Sequence, residues 1–126
     1  CDPEWSYDEI GGSCYLVDNE TKLSWNDSRD HCVGLGGDLA SITGLSDQKL
    51  ILMWEMSDTS WWIGGSKLDE SSGWTWSDGS PATYFNWGDG EPDRIDEDCI
   101  RIQTYYNGTW HDYSCILVSV FICKKQ

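Results

Sequence analysis

The chain has 126 residues, 22 acidic and 8 basic, for a formal net charge of −14. That balance excludes nucleic acid and anionic membrane surfaces as partners, because both reward Lys and Arg, and it favours cations. Six cysteines, an even number, point to an oxidising compartment, and composition alone leaves their pairing open.

Residues 1–126 read as one domain, long enough for a core that covalent cross-links assist. No apolar run approaches membrane-spanning length and no leader is visible, so the chain reads as a mature, secreted protein. Asn19, Asn26 and Asn107 each open an Asn-X-Ser/Thr triplet and are candidate glycosylation sites.

Taken in order, Trp5, Tyr7, Cys14 and Tyr15 flank Gly11-Gly12, which predicts a short hairpin over 1–17. Ser24 opens a helix, with Asp27 three residues on in a capping-box arrangement; Trp25, Cys32 and Leu35 make its apolar face and Gly36-Gly37 end it. His31 on this helix has no second ligand at helical spacing and reads as surface structure. A short strand over 39–42 precedes a second helix, capped by Ser46 and running to about Met56, whose stripe is Leu50, Ile51 and Trp54.

The stretch to Asn86 is rich in Gly, Ser and Asp and punctuated by Trp74, Trp76 and Trp87. It reads as a long irregular loop kept ordered by buried aromatics; an aromatic sugar platform is the competing use of so many tryptophans. A strand over 100–106, a two-residue turn at Asn107-Gly108 and a return through Trp110 predict a hairpin that carries Asp112 back. The apolar run from Cys115 to Cys123 predicts a buried strand.

The chemistry concentrates between Asp89 and Asp98. Asp89, Glu91, Asp93, Asp96, Glu97 and Asp98 are opposed by Arg94 alone, so compact folding there needs either full solvation or a hard divalent cation that gathers oxygens. The alternation of Asp89, Glu91 and Asp93 is not an EF-hand, since Arg94 stands at its glycine position and Ile100 at its closing Glu.

Glu91-Pro92-Asp93, then Glu97-Asp98-Cys99, then Trp110-His111-Asp112 and Cys115 resemble the calcium and sugar site of the C-type lectin-like domains. In that family the pattern is Glu-Pro-Asn for mannose-type or Gln-Pro-Asp for galactose-type members, followed by Glu-Asp-Cys and Trp-Asn-Asp. The resemblance extends from Cys1 to Cys123, with Trp61-Trp62-Ile63-Gly64 similar to the family's core strand. It implies an α+β fold, two helices flanking small antiparallel sheets with a long calcium- and sugar-binding loop, and a cis Glu91-Pro92 bond. It also implies the long-form pairing Cys1–Cys14, Cys32–Cys123 and Cys99–Cys115.

By the same resemblance one Ca2+ is held by Glu91, Asp93, Glu97 and Asp112. A sugar diol then sits on that ion, contacted by Glu91, Asp93, Glu97, His111 and Asp112. Two residues depart from the pattern: Asp93 replaces an amide and can only accept, and His111 replaces the first Asn of Trp-Asn-Asp and is a poor calcium ligand. Glu91 favours mannose-type diols, Asp93 leaves galactose-type binding open, and His111 near a cation predicts weaker calcium retention in mild acid. Lys67 and Ser71 fall where an auxiliary calcium site draws its acids in some members, and with Arg94 they predict no second ion.

The implied function is a secreted calcium-dependent lectin recognising glycans, with several domains clustered for avidity. The competing class is a module of the same fold that binds protein or ice. An enzyme is not expected, because the six cysteines pair and neither histidine has a Ser-Asp constellation.

Overall fold

The computed structural model describes residues 1–53, 60–68, 73–92, 97–103 and 108–126. Trp54 and Met56, expected in the second helix, lie outside them, as do Ser71, Asp93, Arg94, Asp96 and Asn107.

Strand β1 (Ser6–Tyr7) folds back on β2 (Cys14–Leu23), with Ser6 opposite Tyr15 and Tyr7 opposite Cys14. Helix α1 (Trp25–Gly34) is capped as its sequence predicts, Ser24 Oγ accepting from the Asp27 amide at 3.3 Å. Its buried side chains are Trp25, Ser28 and Cys32. Leu35 is not part of that face: it is the C-cap, its amide closes on His31 and Cys32 carbonyls, and its side chain is exposed. His31 is exposed, with its ring edge-on to Phe121 at 5.4 Å.

Strand β3 (Asp38–Leu39) is shorter than 39–42. Beyond Leu39 the chain crosses between two strands, the Ala40 amide bonding Ile122 O at 2.9 Å and its carbonyl accepting from the Gly64 amide at 2.8 Å. Helix α2 (Leu45–Leu52) starts before Ser46, with Gly44 as N-cap. Asp47 fixes that start by reaching back to the Thr43 amide (3.0 Å) and hydroxyl (3.1 Å), leaving Ser46 inside the first turn. Ile51 is buried and Leu50 packs on the same core.

Strands β4 (Ser60–Ser66), β5 (Thr75–Trp76), β6 (Cys99–Gln103), β7 (Thr109–Tyr113) and β8 (Ser119–Lys125) complete the sheet. Among the described residues its order is β1-β2-β8-β4-β6-β7, with β3 on β8 and β5 on β4. The fold is α+β with two helices. Its strands join in one mixed sheet rather than separate antiparallel ones, because β4 and β8 run parallel, Trp61 opposite Val120 and Trp62 opposite Phe121.

Core material lies on both faces. Trp61 and Ile63 of β4, Ile100 and Ile102 of β6, and Val120 and Ile122 of β8 face one cluster with Ile42, Ile51 and Trp110. Trp62, Cys99, Phe121 and Cys123 face a second with Trp25, Cys32 and Leu39. A strand buried on both sides reads as a continuous apolar run, which explains 119–123. The first part of that run is different: Ile116, Leu117 and Val118 are exposed and precede the strand. Three disulfides pair as the resemblance implies, Cys1–Cys14, Cys32–Cys123 and Cys99–Cys115, and the described residues hold no free cysteine.

Candidate calcium and sugar site

The site is built on Trp110, a buried residue of β7. Around its indole stand Trp76 at 5.4 Å, Tyr84 at 5.8 Å, Trp87 at 6.1 Å and Phe85 at 6.3 Å between ring centroids, and Trp74 packs tilted against Trp87 at 5.1 Å. Its Nε1 donates to Gln48 Oε1 at 3.0 Å, and Gln48 Nε2 donates to Gly108 O at 2.8 Å, which ties α2 to the turn before β7. These rings hold the long loop in place as packing. Trp110 and Trp76 are too buried to form an open sugar platform.

The backbone of Trp110 does the second half of the work. Its amide bonds Asn86 O at 2.8 Å and its carbonyl accepts from the Gly88 amide at 3.0 Å, so 86–88 runs parallel beside β7. The chain then reverses through a turn closed by Glu91 N to Gly88 O at 3.0 Å, with Gly90 in the left-handed region at φ 77°. The Glu91-Pro92 bond that follows is cis.

That turn delivers Glu91 onto β7. Glu91 Oε1 lies 3.3 Å from His111 Nδ1, with side chains 15% and 19% exposed. The second ring nitrogen of His111 meets Thr109 Oγ1 at 3.2 Å. A Cβ on Gly88 would come within 2.7 Å of His111 Nε2, so the ring rests directly on the Gly88 backbone. Sequence reasoning named His111 and Glu91 but missed Thr109 and Gly88; the strand period of two, which puts Thr109 on the face of His111, was the available signal.

Asp112 follows His111, opposite Ile100, and is 3% exposed. Glu97 is half-buried just before β6. Tyr113 senses both glutamates: burial pushes its phenol up, the Arg101 guanidinium over its ring at 4.6 Å opposes this, Glu91 adds to the rise, the Gln103 amide opposes it, and Glu97 adds again. Arg101 lies also over Trp62 at 4.5 Å, so its charge is held between two rings.

Two expected features sit elsewhere. The β6–β7 register puts Gln103, rather than Tyr106, opposite Thr109, and Gly108, at φ 70°, bonds Gln103 O through its amide; the rest of the expected Asn107-Gly108 turn lies outside the described residues. The Lys67 amide bonds Asp98 O at 2.9 Å while its ammonium lies 5.3 Å over Trp74.

Glu91, Glu97 and Asp112 offer carboxylate oxygens, the donor chemistry a calcium ion takes, whereas His111 offers nitrogen. Among the described residues no three Asp, Glu, His or Cys form a ready metal-binding group, and Asp93 falls outside them.

The sequence pattern of the family described as Lectin C-type domain matches residues 21–125. The chain belongs to the C-type lectin domain family. C-type mannose receptor 2 of Mus musculus is 38% identical over 129 residues; the match takes in all of this chain and 9% of that protein, so the chain spans less than a tenth of it. The carbohydrate-recognition domain of the mouse scavenger receptor C-type lectin superposes with TM-score 0.88 at 33% identity, covering 100% and 96% of the two chains. SPL-1 in complex with GlcNAc superposes at 0.87 and 30% identity over 99% and 94%. The C-type lectin fold also serves other ends: a calcium-independent type II antifreeze protein superposes at 0.89 and 29% identity over 99% and 93%.

Proposed function

We propose that this C-type lectin domain binds carbohydrate through one Ca2+ held by Glu91, Asp93, Glu97 and Asp112, with a sugar diol placed directly on the ion. The observation that carries the reading is the delivery of Glu91 onto β7 beside His111, the residue before Asp112, by a turn hydrogen-bonded to the same strand. Glu91 on the turn and Asp112 on β7 supply carboxylates from two separate segments, the donor chemistry that suits a hard cation, and the net charge of −14 attracts one. When bound, the ion supplies positive charge and open coordination for vicinal hydroxyls. The chain's own acids accept hydrogen bonds from those hydroxyls.

Mannose-type diols are the preferred class because Glu91 is retained, with galactose-type binding admitted by Asp93. One ion is bound: Lys67, beside Asp98, and Arg94 disfavour an auxiliary site. The three disulfides suit an extracellular, oxidising setting, and Asn19 and Asn26 are exposed for glycosylation. Among the described residues no helix is long and apolar enough to cross a membrane. Glycan recognition on cell or microbial surfaces through clustered copies is the physiological use, and no catalytic step is involved.

Retention on immobilised mannose in calcium, with release by chelator and by free mannose, tests the reading. No retention on mannose with calcium present supports the second reading, a module binding protein or ice, which the antifreeze likeness and the nitrogen at Glu91 favour.

A further inference from the structure

His111 is held from three sides. Its Nδ1 faces the Glu91 carboxylate at 3.3 Å, its Nε2 faces the Thr109 hydroxyl at 3.2 Å, and its ring lies on Gly88 with no room for a Cβ. A carboxylate only accepts, so Nδ1 carries a proton and donates to Glu91 Oε1, while Nε2 shares a hydrogen bond with the Thr109 hydroxyl. Both polar atoms of the imidazole are thereby committed to the protein. A side chain in that position does not reach for an ion; it holds the group that should.

We propose that His111 is a positioning residue, a brace that occupies Glu91 Oε1 in the metal-free protein and must release it before calcium binds. The inference rests on the calcium reading above and deepens it: His111 sets the calcium affinity of the site by competing with the ion for the carboxylate. Thr109 and Gly88 are the seat of the brace, fixing the ring so that Nδ1 points at Glu91. Calcium binding in this chain therefore includes a rearrangement at His111.

The brace and the alternative, His111 as a ligand, predict opposite signs. His111→Ala removes the brace without adding an oxygen. Calcium affinity should then rise about tenfold, the size of one charge-assisted hydrogen bond. If His111 were a ligand, the same change would weaken binding. Thr109→Val, which keeps side-chain volume and alters no proposed ligand, should shift affinity in the same direction by a smaller factor.

Calorimetric calcium titration of the wild type and both variants gives the affinities. Nitrogen NMR of the wild-type imidazole reads the brace directly: His111 should show a protonated Nδ1 without metal, and its Nδ1 resonance should move as calcium is added. Tighter binding in both variants with that spectral change supports the proposal. Equal or weaker binding in His111→Ala, in a variant whose metal-free melting stays cooperative, overturns the brace and leaves the calcium site standing. Should His111→Ala fail to fold, unchanged or weaker binding in Thr109→Val overturns it instead. Absence of calcium binding in all three proteins overturns the calcium reading and the brace with it.

Discussion

Glu91 and Gln48 illustrate two kinds of dependence on a single side chain. Glu91→Gln keeps the shape of the turn but removes the charge, so calcium affinity should fall by about two orders of magnitude while the melting temperature without metal changes little. A variant that binds calcium like the wild type would place the ion elsewhere. Gln48 is not among the proposed ligands, yet its amide bonds both Trp110 Nε1 and Gly108 O in the interior. Gln48→Ala leaves the buried Trp110 indole N–H without its acceptor, while Gly108 O keeps the Asn86 amide at 3.0 Å, and should cost about 1–3 kcal/mol in denaturant unfolding. A cost below about 0.5 kcal/mol would mean that the α2 contact does not hold the site's floor.

Elements show what their sequences could and could not reveal. The capped start of α1 was legible from a local cause, a Ser with Asp three residues on, and the β4 strand through Trp61-Trp62-Ile63 from its resemblance to the family's core strand. Ile116-Leu117-Val118 was not: an apolar run looks the same whether it is buried or exposed, and the strand begins only where Ser119 pairs with Leu23. The start of α2 was misplaced because Asp47 reaches back past its own helix to Thr43, a contact that Ser46 obscures. At the site, Glu91 and Asp112 were legible as motif positions, whereas the clamp on His111 was not, since it depends on how closely Gly88 passes over the ring. Joining α1 to β8 across 91 residues, Cys32–Cys123 ties the first helix to the central sheet. Replacing both cysteines by Ala should lower stability by about 4–5 kcal/mol on the loop-entropy relation, measured as a shift in the unfolding midpoint. An unchanged midpoint would show that the two cores alone hold α1.

At the scale of the whole molecule, the acid excess reaches beyond the site. Tyr15 lies in the core with its hydroxyl 3.4 Å from Asp47 Oδ1. Burial first, then the charges of Asp47, Asp8 and Asp78, hold its phenol well above the usual tyrosine range. A folded value above the unfolded one means that this stability is intact below the unfolded value of 10.0 and is lost as pH rises beyond it. Tyrosinate absorbance followed together with circular dichroism should show Tyr15 ionising only as the fold is lost in strong alkali. All six tyrosines ionising near pH 10 with the fold intact would contradict this.

The central claim is a single calcium ion that carries the sugar. Calorimetric titration of calcium into metal-free protein, followed by mannose and galactose into the loaded form, tests it most directly. The account predicts one calcium per chain, heat from mannose exceeding that from galactose, and loss of both sugar signals on adding chelator. Calcium binding with no response to either sugar, or no calcium binding at all, would contradict it.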